Sequence, residues 1–503
     1  MRILGLALAA TSIALAAPAA AQTIEHRGDG VGTEHMVFEV QATDEARAHF
    51  LHGLALLHNF EYARAGEAFA KAQAVDPGFV MAYWGEAMAH NHPLWEEQDR
   101  EGALKVLARL GATREDRRAK ARSEREAKWL DAAETLYGEG TKEQRDHAYL
   151  AKMRALFEAD RSDIDARAFT ALAILGTSHG GRQVPIYMEA AALLEAGFMT
   201  HQMHPGILHY LIHSYDDPVH APLGKRAAER YARVAPDAGH AQHMISHIFH
   251  ALGDWTASEA ANVLADAVVD RQRLAVGRDP SDCGHYNEWL VYALLQQGKD
   301  ASAIVSGCRN QAQAHIAGGS DNRIGWGAAS SYAVIATWQG VDAGKWPAPL
   351  EGTGDGFILA RMMLAHGRAL ENFGNEAEVA AALVDMKALA ADFGEILPQV
   401  APDDRTSINW LDRAIAQVEA ILVLSNGEAD RGLAMLEAAA QAEAALPTEF
   451  GPPRIAKLSY ELLGEQLLAL GRKREAAEAF RKSLEFSPGR RLSLAGLKAA
   501  DGG

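Results

Sequence analysis

His240, His243, His247 and His250 are separated by three, four and three residues. On an α-helix that spacing makes one stripe. Imidazoles in such a row suit Zn, Cu, Fe or Ni, and an i, i+4 pair can share one ion. A second pair of that spacing is His209 and His213, and Asp217 stands four residues after His213. His285, Glu288 and Tyr292 follow at steps of three and four. His209, His213, His243 and His247 are therefore the candidate ligands of one shared ion. Asp216, Asp217, His240, His250, His285 and Glu288 are outer candidates. A metal with an open position can activate water, and Glu288 or Asp217 would then serve as base, as in a metal-dependent hydrolase or oxidoreductase. The same stripe has two other readings. It can bind an anionic peptide or polar ligand, gaining charge at mildly acid pH, or it can be a structural polar network.

Other motifs carry less. "HYLIH" lacks the glutamate of a zinc protease helix, and no P-loop or dinucleotide fingerprint is present. "GTSHG" (176–180) has the letters of a nucleophile elbow. That motif needs a preceding strand, and "DARAFTALAIL" reads as helix. Trp84, Glu86, His90, His92 and Trp95 cluster in one stretch, where aromatics more often pack between helices than form a ligand box.

Helices must position the histidines. Nearly the whole chain has helical periodicity, and "EHMVFEV" (34–40) is the best strand candidate. Two segments align: Gly53, Ala65, Phe69 and Pro77 match Gly464, Ala476, Phe480 and Pro488 at identical offsets. The glycine allows two helices to approach, the alanine packs at their crossing, the phenylalanine fills the gap, and the proline ends the unit. This pattern resembles the tetratricopeptide (TPR) repeat. Weaker units turn at Gly253-Asp254, Gly298-Lys299, Gly374-Asn375 and Asn426-Gly427. The fold class expected is all-α: a TPR-like α-solenoid with some degenerate repeats. Two Pro- and Gly-containing stretches, 344–356 and 446–453, read as loops. The expected organisation is a signal peptide (1–21), an N-terminal array (22–343) with a histidine-rich groove (204–292), a loop (344–356) and a C-terminal array (357–503).

The resemblance implies that the histidine offsets face the concave groove. The helical wheel agrees: Ala241, Met244, Ile245, Ile248, Phe249 and Leu252 lie opposite the stripe. These are expected to pack, and the histidines to line an open groove. "HPGILHYLIHSYDDPVHAPLG", "HAQHMISHIFHALGDW", "NHPLW" and "SPGRRLSLAGLKAA" are similar to a family of exported bacterial TPR proteins. That resemblance implies a fold and a location and carries no reaction. The family usually has proline where this chain has Ile245, which would start the helix late and leave His240 and His243 in a loop.

Arg2, an apolar run from Ile3 and Ala19-Ala20-Ala21 form a secretory signal with cleavage expected before Gln22. The location expected is periplasmic or secreted. No later stretch is apolar and long enough to span a bilayer. Loss of Arg2 takes the net charge from −17 to −18, which disfavours nucleic acid as a partner. A protein or peptide in the groove remains the alternative partner. The two cysteines, Cys283 and Cys308, suit either a disulfide in an oxidising compartment or two thiols.

Overall fold

The computed structural model describes residues 29–319, 322–400, 407–448 and 450–502. The expected signal segment lies outside them. The described chain is 23 α-helices joined by short turns, stacked mostly as antiparallel hairpins into a solenoid. The only strands among the described residues are Asn91–His92 and Glu97–Gln98, paired antiparallel around Trp95. No described helix is long and apolar enough to cross a membrane.

Local chemistry fixes the hairpins. Side chains of Thr43, Asp163 and Asp254 accept backbone N–H groups at the starts of Asp44–His58, Ile164–Leu175 and Trp255–Ala275. The repeat glycines do what their spacing suggested. A Cβ on Gly53 would meet the Phe69 ring at 2.9 Å, and one on Gly464 would meet Phe480 at 2.8 Å. Both phenylalanines are fully buried.

Three hairpins carry the histidines: Pro205–Ser214 with Ala221–Val234, Gly239–Ala251 with Trp255–Ala275, and His285–Gln296 with Ser302–Ala317. The middle hairpin starts at Gly239, so His240 and His243 lie on the helix, as a chain with Ile245 in place of proline allows. Cys283 and Cys308 form a disulfide that ties the entrance of the third hairpin to its second helix, with Cα atoms 4.6 Å apart.

"EHMVFEV" is not a sheet strand. After the short 3-10 turn Thr33–His35 it runs extended and unpaired across the helices. Its apolar residues enter the helix layers: Phe38 sits against Phe50, Trp84 and Trp129. Asp237 N–H donates to Gly30 O at 2.8 Å, which anchors the arm at the repeats that carry the histidines.

The solenoid closes on itself. The first hairpin, Asp44–His58 with Tyr62–Val75, reaches Pro205–Ser214 across 152 residues of sequence, where His58 Nδ1 meets Tyr210 OH at 2.9 Å. At the other end, Ser459–Ala469, Lys473–Phe486 and Arg491–Ala500 dock onto the middle repeats. Arg490 is wholly buried there, bonded to Asp342 Oδ2 at 2.7 Å and to both oxygens of Glu461 at 3.1 Å. Trp255 Nε1 donates to Gly489 O at 2.9 Å.

Candidate metal centre

The histidines are not on an open face. His209, His213, His243, His247 and His250 are all buried, so the expectation of solvent-facing imidazoles is corrected. Their covers come from distant sequence. Phe60 lies 4.3 Å from His209 by ring centroids, Trp95 is 5.8 Å from His240, and Trp289 is 4.2 Å from His247. Residues 450–453 lie over the other end. Gly451, at φ +81, presses its backbone on Trp289, and any Cβ there would overlap the indole. His250 hydrogen-bonds the backbone of Gly451. Helix Gly239–Ala251 is covered nearly all round: Met244, Ile245 and Ile248 are buried as expected, but Phe249 is only half-buried.

The four candidate ligands do not converge on one point. With His240 and His285 they form two trios, His209/His213/His240 and His243/His247/His285, each with nitrogens within 4.8 Å of one another. His209 Nε2 and His213 Nε2 are 3.1 Å apart, and His243 Nε2 and His247 Nε2 are 3.0 Å apart. Two nitrogens on one tetrahedral or square-planar ion stand about 2.9–3.4 Å apart, given metal–nitrogen bonds of about 2.0–2.1 Å. Both i, i+4 pairs therefore have the bite of one ion.

The far ring nitrogens of His209, His243 and His247 are held by acceptors, while His213 Nδ1 is buried without a partner. His209 Nδ1–H donates to His58 O at 2.6 Å. His243 Nδ1–H donates to Asn262 Oδ1 at 2.8 Å, and Asn262 is oriented by donating its own amide to Ser258 O at 2.9 Å. His247 Nδ1–H donates to Asp216 Oδ2 at 2.5 Å. Such partners fix the tautomer and leave Nε2 with its lone pair. Burial holds His209 neutral, its pKa lowered to about 3 despite the carbonyl it donates to. Burial and neighbouring imidazoles push His213, His240 and His243 well below the usual range.

The outer candidates separate. His240 and His285 join the trios, His240 half-buried and His285 exposed at the edge. Asp216 supports His247 from behind. Asp217 is taken by Arg182 at 2.5 Å and by His220 at 2.8 Å. Glu288 accepts from Ser331 Oγ at 2.5 Å. His250 belongs to neither trio and stacks on Tyr292, ring centroids 5.4 Å apart. Asp217, Glu288 and His250 are thus not first ligands of either trio. A cavity of about 150 Å³ lies beside Asp216 and His250 and is also lined by Arg454, Tyr460 and Pro488.

Sequence reasoning missed a third group. His58 Nε2 and His204 Nε2 lie 3.0 and 3.2 Å from the same oxygen of Asp165, all three fully enclosed. Tyr210 OH and the Ile207 N–H satisfy the opposite nitrogens of His58 and His204. Every donor has its acceptor, so this triad is a closed hydrogen-bond network, and its His58 carbonyl is what holds His209. "GTSHG" follows the helix Ile164–Leu175, with Ser178 Oγ bonded to Gly181 O and His179 paired with Asp146.

The tetratricopeptide repeat family model matches residues 459–490. No curated protein matches the chain. Among solved structures, the chain is similar to the Cut9–Hcn1 hetero-tetramer of APC/C, at 11% identity over 95% of this chain and 78% of that one, TM-score 0.37. It is also similar to yeast Tom70, at 13% identity over 91% of this chain and 89% of that one, TM-score 0.24.

Proposed function

We propose that this protein is an exported, TPR-like solenoid that binds a transition-metal ion in its buried histidine cluster. One observation carries the reading. His243 and His247 both commit their Nδ1 protons, to Asn262 and Asp216, and turn Nε2 lone pairs on each other across 3.0 Å. Acceptor facing acceptor in an enclosed site is unfavourable. A shared proton would place a charged imidazolium among aromatic rings, with Asp216 as its counter-ion. A metal ion satisfies both lone pairs, and His285 supplies a third donor from the exposed edge. Nitrogen donors favour Zn, Cu, Fe or Ni over Mg or Ca. Three imidazoles leave one position open, the arrangement by which a bound ion activates water.

Export is supported by the signal-like N-terminus and by the Cys283–Cys308 disulfide, which suits an oxidising compartment. Intact-mass spectrometry of secreted or periplasmic material should give a chain beginning at Gln22, and retention of Met1 would refute it.

The metal test is elemental analysis of the purified mature chain. Stoichiometric Zn, Cu, Fe or Ni is expected in wild type and less in His247→Ala, with helical circular dichroism retained. The second reading is a protein- or peptide-binding scaffold, favoured by the repeat match at 459–490. Wild type that neither carries nor takes up any of the four metals would discard the metal reading and leave the scaffold.

A further inference from the structure

We infer that the cluster is built for two adjacent ions of low charge, one in each histidine trio, and that copper(I) is the ion it fits. This rests on the metal-binding reading above.

The count follows from geometry. Within each i, i+4 pair the ring centroids are 4.8 Å apart and the Nε2 atoms nearly touch. Between trios the spacing widens: His213 to His247 is 6.0 Å and His240 to His243 is 6.2 Å. One ion cannot take all four Nε2 atoms without moving a helix, because the nitrogens that lie within 4.8 Å of one another are those of each trio and not those of the four together. Each trio also has its own third donor, His240 or His285. Each has its own support, His58 O for one and Asn262 with Asp216 for the other.

The charge follows from the ligands. All six donors are neutral imidazoles, and no carboxylate belongs to either trio. Asp216 holds a single histidine from outside, and the Glu61 carboxylate meets only the backbone N–H of His240. Repulsion between two ions scales with the product of their charges, so two dications a few ångströms apart repel four times as strongly as two monocations. A neutral, desolvated donor set offsets little of that. Of the imidazole-seeking metals Zn, Cu, Fe and Ni, copper is the one with an accessible monovalent state in water-excluded nitrogen sites.

The test is an anaerobic titration of the full mature chain with copper(I), against a chromogenic chelator, with native mass spectrometry to count ions. Two copper ions per chain are expected in wild type. His240→Ala and His285→Ala each remove an outer donor from one trio, the first at a half-buried position and the second at the exposed edge. Each should retain one tightly held copper and weaken the other by at least tenfold, while the double variant weakens both. Circular dichroism checks that the variants fold. One copper per chain, weakened alike by both substitutions, would overturn the two-ion inference in favour of one shared ion and leave metal binding standing. Two ions in wild type that neither substitution affects would place copper elsewhere and overturn it as well. If no metal binds at all, both this inference and the reading it rests on fail.

Discussion

Asn262 shows how much a residue outside the ligand set can decide. Its amide is turned by Ser258 O so that its oxygen meets His243 Nδ1. Asn262→Ala should leave the helix intact and release that proton to either ring nitrogen. Loss of such a supporting partner typically costs 10–100-fold in metal affinity, which competition with a chelator would read. A second residue reports on pH. His366 is buried far along the chain, with Nε2–H donating to Gln417 Oε1 at 2.9 Å. Burial lowers its pKa to about 4, only partly opposed by that hydrogen bond. Between about pH 6.5 and 4 the unfolded chain therefore binds a proton there that the folded chain does not. The stability this position contributes is complete above pH 6.5 and falls by about 1.4 kcal/mol per pH unit on acidification, levelling off below 4. Denaturant unfolding at pH 7 and pH 5 should show a smaller difference in His366→Gln than in wild type.

At the scale of elements, what was local was legible. The turns at Gly253, Gly298, Gly374 and Gly427 lie where glycine and polar residues interrupt a helical pattern, and all four glycines have positive φ. The i, i+4 histidine pairs were equally legible, because helix geometry alone brings them together. The covers were not: Phe60, Trp95 and Gly451 reach the histidines from remote parts of the chain. No periodicity encodes that approach, so a stripe opposite an apolar face looked open. The division into two trios was hidden for a related reason, since the spacing between neighbouring helices decides it. His58 and Asp165 belong to the unexpected triad only because the first hairpin meets Pro205–Ser214. The cysteines were left open by sequence and are joined across a separation of 25 residues. Closing such a loop should contribute about 3.5 kcal/mol. Thiol counting in denaturant should find none, and Cys283→Ser with Cys308→Ser should lower the unfolding free energy by roughly that amount.

At the scale of the whole molecule, the chain departs from an open repeat array. Most solenoids are held by neighbour-to-neighbour contacts and can lose repeats from an end. Here the last helices are clamped to the middle through Arg490, Asp342 and Glu461. Burial raises the Glu461 pKa, but Arg490 and Lys457 outweigh it and bring it down to about 2. Arg490→Ala would leave buried Asp342 and Glu461 with only Arg491 and Lys457 as cations, a change that costs at most about 3–5 kcal/mol. It should also turn one cooperative unfolding transition into two, as measured by calorimetry, because the terminal repeat no longer depends on the rest. The same closure sets an order in time. The helices bearing the histidines are complete when the ribosome has yet to make Gly451, Arg490 and the last helix. Until Gly451 docks on Trp289 the end of the cluster near His250 lacks that cover, while Phe60 and Trp95 already lie on the other end; afterwards the exposed edge at His285 remains the way in. Whatever the histidines hold thus enters the finished molecule, and leaves it, by the edge at His285.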